Sequence, residues 1–275
     1  MPELPEVETV RRTLEPVLRG DSIKGFIIYE PRLRWNLEPS HLNRWVKGKT
    51  ILNMARRGKY LIFVMNGGGA MLVHLGMTGV LSLAKRSHEP RTHDHVIFQL
   101  ASGSQLVFND VRRFGSIDAF EYNTIADHPR LAHLGPEPLE SNFNGDYLYR
   151  VSRGMKVNIK NFIMDARRVV GVGNIYAAEA LFRSGIHPKT PARRIGKARC
   201  ERLVEAIQEI LGEAIVQGGT TISDFRNGYG EVGYFGQSLS VYGREGEACV
   251  RCDKTIRRIV QGGRSTFFCA GCQRG

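Results

Sequence analysis

The chain has 275 residues with an ordinary apolar content, and it carries 39 lysines and arginines against 27 aspartates and glutamates. Its length can bury a sizeable core and predicts two domains. No run approaches the roughly 20 apolar residues of a membrane span, and the acidic N-terminus lacks the basic and then apolar pattern of a secretory signal. The formal net charge of +12 predicts an acidic partner such as nucleic acid. The protein is expected to act in the cytoplasm.

The N-terminal sequence MPELPEVETV places two prolines and three glutamates within eight residues. Removal of the initiator methionine would leave Pro2 as a secondary amine, a potential nucleophile, beside the carboxylate of Glu3. The alternative is that PELPE only leads into a helix. That helix is predicted to begin at Pro5, a favourable first-turn residue, and to end at Gly20. Its apolar face would comprise Val7, Val10, Leu14 and Val17 or Leu18.

From residue 23 to about residue 122 the pattern changes to short β runs, separated by turn material such as NGGG and ASGS. The runs are FIIYE, KYLIFVM, AMLVHL, VLSLA, HVIFQL, QLVFND and SIDAF. Seven or more short strands at this spacing indicate a sandwich or barrel, which we assign to a first domain of residues 1–130. His93 and His95 in THDH could form a second metal site. No clear set of acidic partners accompanies them, so a structural or phosphate-binding role is favoured.

A helical pattern follows a stretch rich in proline, glycine and polar residues. Residues 131–146 are predicted to be a linker, and residues 147–238 a helical domain. A short helix is expected over residues 174–182, preceded by GVGN, whose small residues leave backbone N–H groups able to bind a phosphate. Helix pairs are common in ordinary packing, so this motif alone is weak. A longer helix is indicated by Leu203, Ile207, Ile210, Leu211 and Ala214.

The last segment, residues 239–275, contains four of the five cysteines, as CVRC and CAGC separated by sixteen residues. Two such knuckles predict one structural Zn²⁺, because four thiolates leave no coordination position open for chemistry. The pattern also favours a reducing compartment over a disulfide framework, and Cys200 is interpreted as a bystander. The four predicted ligands are Cys249, Cys252, Cys269 and Cys272.

Positive charge is concentrated in two places rather than scattered over the chain. Residues 249–275 contain six lysines and arginines against one aspartate, and they enclose the arginine-rich stretch IRRIVQGGRSTFF. This concentration favours a binding surface for an acidic partner. The second cluster comprises Arg150, Arg153, Lys156, Lys160, Arg167 and Arg168.

The acidic, proline-initiated N-terminus, the helix pair led by GVGNIY and the basic four-cysteine finger together resemble the formamidopyrimidine-DNA glycosylase family of bacterial repair enzymes. The motifs MPELPEVETV, RRGKYL, HLGMTG, HDH, DVRRFG, LGPEPL, VVGVGNIYA, GIHP, QGGTT and VYGREGE and the finger occur in family order over essentially the whole chain. The related endonuclease VIII group also begins with Pro-Glu but typically continues differently and prefers oxidised pyrimidines.

The resemblance implies an α+β multidomain monomer. It would consist of an N-terminal helix with a β-sandwich domain, then a helical helix-two-turn-helix domain with a C-terminal zinc-finger hairpin. Double-stranded DNA that contains an oxidised purine or an abasic site would lie in the basic cleft between the domains. A non-enzymatic zinc-finger DNA-binding protein is the rival interpretation, but it gives no role to the Pro-Glu terminus or to RRGKYL.

The resemblance also implies a bifunctional DNA glycosylase and AP lyase. Such an enzyme excises oxidised purines (8-oxoguanine and formamidopyrimidines) and then cuts the strand by β- and δ-elimination. Pro2 would attack the sugar C1′ and form a Schiff base, while Glu3 supplies a proton to the sugar oxygen. Lys59 in RRGKYL would transfer a proton in the first elimination. Arg264 in GGRSTF would bind phosphates at the lesion and assist the second.

Further positions match DNA-binding residues of the family. His93 and Arg112 match DNA-contacting positions, and Asn174 matches the start of the phosphate-binding helix. Met77, Arg112 and Phe114 match a wedge that fills the hole left by an extruded nucleotide. Without the resemblance, Met77 and Phe114 would be interpreted as core residues.

The sequence departs from the family pattern at several positions. Met155 stands where a basic residue is common, so DNA contact is expected to pass to Lys156 or Arg153. Asp253 and Ala270 replace the commoner glycine and proline of the knuckles, and aspartate tolerates a left-handed backbone there. The glycine-rich lesion-covering loop RNGYGEVGYFGQ differs in detail, which leaves lesion preference open.

Overall fold

The computed structural model describes residues 2–85, 87–219 and 238–275, which form two units. The first unit comprises residues 2–133 with Gly218 and Gly219, and the second comprises the remaining described residues. None of the helices in these ranges is both long and apolar enough to cross a membrane. The predicted lesion-covering loop, RNGYGEVGYFGQ, lies outside the described residues.

Helix α1 (Leu4–Leu18) begins the first unit and buries one apolar face. Glu3 is its N-cap residue, and the Glu3 backbone N–H donates to the carboxylate of Glu6 at 2.7 Å. This contact satisfies one of the donors that a helix start leaves without an intrahelical partner. Pro16 lies inside the last turn, and the helix ends before Gly20, whose φ of 86° is left-handed. The predicted helix is therefore confirmed to within two residues.

Eight antiparallel strands follow, in the sheet order β5-β7-β6-β1-β2-β3-β4-β8. Strands β1 and β2 pair only through Ser22 with Thr50 and Ile23 with Lys49, so the sheet divides there into two four-stranded layers. A short helix, α2 (Pro39–Trp45), lies between these two strands in the chain. The strands are β1 (Ser22–Ile28), β2 (Lys49–Arg57), β3 (Tyr60–Met65), β4 (Gly69–His74), β5 (Gly79–Ala84), β6 (Asp94–Leu100), β7 (Gln105–Asp110) and β8 (Ser116–Glu121).

The two layers share one hydrophobic core, to which α1 also contributes. Alternate residues of the strands belong to this core, as expected for two packed sheet layers, and strands β3 and β4 are buried on their other face as well. The buried face explains why the strand runs were recognisable from sequence, and it confirms the sandwich prediction. Core residues include Val10, Leu14, Leu61, Phe63, Val73, Leu81, Val96, Phe98, Phe108 and Ile117.

The second unit is helical and ends in a hairpin. Its helices α3 (Gly145–Ser152), α4 (Ile159–Met164), α5 (Asn174–Arg183) and α6 (Lys197–Val216) enclose a core of their own. Strands β9 (Ile256–Gln261) and β10 (Arg264–Cys269) pair across a two-residue turn, Gly262 and Gly263, both with positive φ. A tight two-residue hairpin turn requires positive φ at both positions, and glycine adopts positive φ without steric cost.

Candidate active site and metal centre

The N-terminal residues are buried at the start of α1. Pro2 is buried, and Glu3 is only 1% exposed. Glu6 and Glu8 are also buried, so three carboxyl groups lie between the N-cap and the second turn of the helix, and the positive end of the helix favours negative charge in its first turn. Chain termini are usually poorly ordered. Here the burial of Pro2 and the helix cap hold Pro2 and Glu3 at the start of α1.

Glu8 connects the start of α1 to the strand that precedes Lys59. Its carboxylate accepts hydrogen bonds from Arg11 (2.8 Å), Arg12 (2.8 Å) and Arg56 (3.1 Å), and Arg56 belongs to β2. Burial alone would raise the pKa of Glu8. The hydrogen bonds from Arg11 and Arg12 and the nearby charges outweigh that effect and lower the pKa to about 2. Glu8 is therefore ionised, and it fixes the position of α1 against the sheet.

Lys59 lies in the two-residue turn between β2 and β3, where Arg57 pairs with Tyr60. Gly58 begins the turn with a φ of 56°, and Lys59 itself is half-buried. The charge of Lys59 acts on His74 at the end of β4. Its burial and then the charge of Lys59 lower the pKa of His74 to about 3. His74 is therefore a neutral imidazole near neutral pH.

His93 and His95 have different environments. His93 is exposed and has a left-handed backbone with φ of 73°, and its carbonyl accepts the N–H of Asp110 at 3.1 Å. His95 is buried, and its Nε2 lies 2.7 Å from the carbonyl oxygen of Asp110. Among the described residues, the four finger cysteines form the one cluster of at least three ligands able to hold a metal. The geometry therefore supports a structural role for His95, and it leaves the His93 ring at the surface.

Met77, Arg112 and Phe114 project from two adjacent loops of the first unit. We name these loops the first wedge loop (residues 75–78, between β4 and β5) and the second wedge loop (residues 111–115, between β7 and β8). Met77 is 37% exposed and Phe114 is 41% exposed. The Arg112 guanidinium lies 4.7 Å from the centre of the Phe114 ring, a cation–π contact. These apolar side chains are therefore not core residues.

Asn174 is the first residue of α5, and its side chain is held from two directions. Its Oδ1 accepts a hydrogen bond from Lys160 Nζ at 2.5 Å, and its Nδ2 donates to the carbonyl of Ser265 at 3.0 Å. Lys160 is fully buried and also donates to Thr266 Oγ1 at 2.6 Å. A buried ammonium is stable only when hydrogen-bond acceptors surround it. Lys160 therefore connects the start of α5 to strand β10 of the finger.

The remaining basic candidates of the second unit lie at its surface. Arg264 is exposed at the start of β10, directly after the Gly-Gly turn. Met155 packs against the second core, whereas the next residue, Lys156, is exposed. The Arg153 guanidinium lies 4.1 Å from the Tyr149 ring centre, and it donates to backbone carbonyls of its own unit. Of the two residues expected to compensate for Met155, Lys156 is therefore better placed to contact a ligand.

The four finger cysteines form a compact cluster. Their sulfur atoms all lie within 4.8 Å of one another; Cys249 and Cys272 are 3.8 Å apart, and Cys252 and Cys269 are 3.4 Å apart. Tetrahedral zinc with bonds of about 2.3 Å requires sulfur separations of about 3.8 Å. Asp253, which stands in place of a glycine, adopts the left-handed backbone that the knuckle needs, with φ of 56°. The residues present fit one structural zinc ion, and the zinc prediction is confirmed.

Among the buried charged residues, Asp110 and Lys160 were not predicted from sequence to be buried. Asp110 is the first residue of the motif DVRRFG, and Lys160 belongs to the basic cluster of residues 150–168. Both residues lie within segments that the sequence analysis had noted, Asp110 in a family motif and Lys160 in a cluster of positive charge. The pattern did not reveal that their side chains point inward.

Three family models match the chain in succession. They describe the formamidopyrimidine-DNA glycosylase N-terminal domain (residues 1–117), the formamidopyrimidine-DNA glycosylase H2TH domain (residues 134–226) and a zinc finger found in FPG and IleRS (residues 246–275). The formamidopyrimidine-DNA glycosylases of Syntrophotalea carbinolica and Thioalkalivibrio sulfidiphilus are 48% and 49% identical to it, over the full length of both chains.

Solved structures are similar over the same extent. A Lactococcus lactis FPG variant in complex with Fapy-dG-containing DNA has a TM-score of 0.93 and 34% identity, with both chains fully covered. The MutM (FPG) protein of Thermus thermophilus has a TM-score of 0.89 and 39% identity, covering 99% of this chain and 98% of that one. The predicted fold class, with its sandwich, helical domain and finger hairpin, is confirmed.

We expect one zinc ion per chain, and we expect Cys252→Ser to lose it and unfold the finger, because the small finger core folds together with the metal. The thermal transition of the first unit should remain, since its core shares no residue with the finger. Elemental analysis and circular dichroism would measure both effects. Cys200→Ala, which removes the buried cysteine of α6, is the matched control and should retain zinc. Active protein that contains no zinc would contradict this prediction.

Glu8→Gln tests the ion-pair network of α1. The pKa of Glu8 in the folded protein, about 2, lies below its ordinary 4.5, so its contribution to stability is present above about pH 4.5 and is lost as the pH falls toward 2. The variant should lose about 3 kcal/mol of unfolding free energy at pH 7, because each unit of pKa lowering corresponds to about 1.4 kcal/mol and breaking a buried ion pair costs a similar total. The difference from wild type should shrink between pH 4.5 and 2 in denaturant titrations. Glu205→Gln, which alters an exposed carboxylate of α6, should show neither effect.

Proposed function

The chain belongs to the formamidopyrimidine-DNA glycosylase family, and on that premise we propose that it is a bifunctional DNA glycosylase and AP lyase. It excises oxidised purines, such as 8-oxoguanine and formamidopyrimidines, from double-stranded DNA and then cleaves the strand by β- and δ-elimination. The observation that carries the proposal is the burial of Pro2 and Glu3 at the capped start of α1. Lactococcus lactis relatives bound to DNA with a Fapy-dG or an abasic site support this substrate class.

The first reaction begins when removal of the initiator methionine exposes the Pro2 amine. An α-amine has an ordinary pKa near 8, so part of it is unprotonated at neutral pH. Its nitrogen forms a bond to C1′ of the damaged nucleotide, and the base leaves with the electron pair of the glycosidic bond and takes up the amine proton. Glu3 then protonates the sugar ring oxygen, the ring opens, and the nitrogen lone pair forms the iminium ion.

Strand cleavage follows from the charge of this iminium. A secondary amine leaves the iminium without an N–H to lose, so it stays positive and acidifies the hydrogen on C2′. Loss of that proton expels the 3′ phosphate, which is the β-elimination, and Lys59 transfers the proton. The half-buried position of Lys59 in the turn between β2 and β3 supports this role, because a side chain there remains accessible to a substrate. Arg264 assists the second, δ-elimination by binding the phosphate that leaves.

The partner in this proposal is double-stranded DNA that carries an oxidised purine or an abasic site, bound by a monomer in the cytoplasm. Exposed cations on both units supply the phosphate contacts, and Asn174 presents its backbone N–H at the start of α5. Zinc cross-links the finger that carries Arg264 and takes no part in the chemistry. The proposed phosphate-binding residues are His93, Arg112, Lys156, Asn174 and Arg264.

The exposed pair Met77 and Phe114, with Arg112, forms the wedge. An enzyme that reaches C1′ must extrude the nucleotide from the stack, at a cost of a few kcal/mol. Apolar side chains inserted into the space left by the nucleotide offset part of that cost. Their exposure of 37% and 41% in the free protein supports this function, because a core role would bury them.

Replacing Glu3 and blocking the Pro2 amine should impair different steps of the reaction. Glu3→Gln removes the acid but keeps the amine, so excision of an intact damaged base should fall by about a hundredfold or more. Cutting at a preformed abasic site should fall less, because its sugar already opens to an aldehyde. Blocking the amine with an N-terminal tag should abolish borohydride trapping on both substrates, whereas a C-terminal tag should not. If the enzyme still carries its N-terminal tag and is trapped at the full rate, Pro2 is not the nucleophile. If the wild-type protein binds DNA but is never trapped, the rival DNA-binding function is favoured.

Arg264→Ala should weaken DNA binding and reduce the slope of log affinity against log salt concentration by about one, because one phosphate contact releases about one counterion. Titrations at several salt concentrations would measure the slope, and zinc content should stay at one per chain. Arg202→Ala removes an exposed arginine of α6 and serves as the control. A slope unchanged in the Arg264 variant would exclude Arg264 from the phosphate contacts.

A further inference from the structure

The carboxylate of Asp110 connects the two wedge loops. Asp110 ends β7 and is fully buried. Its Oδ1 accepts the hydroxyl of Thr78 at 2.5 Å and the N–H of Arg112 at 3.3 Å, and its Oδ2 accepts the N–H of Gly115 at 2.7 Å. Thr78 belongs to the first wedge loop, and the other two donors belong to the second. One side chain therefore holds both loops by direct hydrogen bonds.

The backbone of Asp110 adds a third connection. Its N–H donates to the carbonyl of His93 at 3.1 Å, and its carbonyl lies 2.7 Å from Nε2 of His95. Asp110 thus also contacts the segment that presents the exposed His93 ring.

The wedge loops approach each other so closely that a side chain is excluded between them. A Cβ on Gly76 would lie 2.3 Å from the backbone carbon of Phe114, well inside van der Waals contact. The hydroxyl of Thr78 strengthens the junction, because it accepts the N–H of Arg112 at 3.1 Å while donating to Asp110. Met77 and Phe114 are consequently presented by loops whose relative position is set at Gly76, Thr78 and Asp110.

We propose that Asp110 is the positioning residue of the wedge. The proposal rests on the wedge function given above, and it adds that the carboxylate holds Met77 and Phe114 in the arrangement that enters the DNA. A carboxylate suits this place because both of its oxygens accept, and hydrogen bonds to a buried charged acceptor are stronger than neutral ones. Without it, the exposed side chains would remain, but their mutual spacing would vary and base extrusion would lose support.

Asp110→Asn is the direct test, because it preserves size while replacing one acceptor oxygen with an NH₂ group that faces N–H or O–H donors. DNA with 2-aminopurine opposite a stable abasic analogue reports wedge insertion through the fluorescence rise on unstacking, without any chemistry. We expect the variant to lose at least half of that rise. Excision of a lesion paired with a normal base should fall about tenfold, and excision opposite an abasic site, where no base pair must be opened, should fall less than about threefold.

Thr78→Val removes the hydroxyl contact and leaves the carboxylate in place, and it should produce a smaller loss of the same selective kind. The double variant should be no worse than Asp110→Asn alone, since both act through one junction. Asp118→Asn is the matched control. It alters a carboxylate of β8 bound to His41, His128 and Arg130, and it should resemble wild type in both assays.

Selective loss on the paired substrate, together with the reduced fluorescence rise, would support the proposal. Wild-type behaviour of Asp110→Asn, or equal losses on both substrates, would overturn it. If Asp110→Asn does not fold, Thr78→Val decides by the same criteria. A wild-type protein that shows the fluorescence rise but excises nothing would refute the glycosylase and lyase function, while the fluorescence comparison would still decide the role of Asp110.

Discussion

The proposed chemistry depends on holding Pro2 in place at the start of α1. A reactive N-terminal amine must be exposed to the substrate, yet a chain end loses much conformational freedom when it is fixed. The protein meets this constraint by starting α1 immediately after Glu3 and burying its first turn. The ion pairs of Glu8 with Arg11, Arg12 and Arg56 then connect the helix to the strand leading to Lys59. One buried carboxylate thus connects the two elements that carry the proposed nucleophile and Lys59.

The same physical device recurs at the loops that carry the other candidate residues. Asp110 holds the wedge loops, Lys160 holds the start of α5 against β10, and Glu179 accepts the backbone N–H groups of residues 240–242 just before the finger. Each is a buried charge whose partners are largely backbone or neutral polar groups. Because the interior screens poorly, such hydrogen bonds are strong when made and costly when broken. The loops that present the candidate side chains are thereby held by buried hydrogen bonds to the rest of their units.

The sequence predicted the elements that bury a regular face and missed those that do not. Strand β2 went unrecognised because its pairing with β3 is interrupted by a bulge between Ile51 and Asn53, and its end is rich in arginine. Helix α3 begins inside the predicted linker, since the cap residue Asn144 and the polar first turn have the composition of a loop. The cysteine spacing was recognisable because the number and type of its ligands predict the metal without knowledge of the fold, whereas the N-terminal motif was interpreted only through the family resemblance. The positions of Asp110 and Lys160 depend on contacts between distant segments, which no local pattern records.

Burial of acidic residues also determines how the protein presents its charge. Within the part of the chain that the structure describes, the fully or nearly buried acidic residues are Glu3, Glu6, Glu8, Asp94, Asp110, Glu137 and Glu179, whereas Lys160 is the one buried lysine or arginine. Carboxylates are thus withdrawn to positions where they fix helices and loops, and cations such as Arg112, Lys156 and Arg264 remain at the surface. The surface is therefore more positive than the formal charge of +12 indicates. The protein is proposed to bind a polyanion. Buried acidic residues position its helices and loops, and exposed basic residues are left to bind the phosphates, so one distribution of charge serves both purposes.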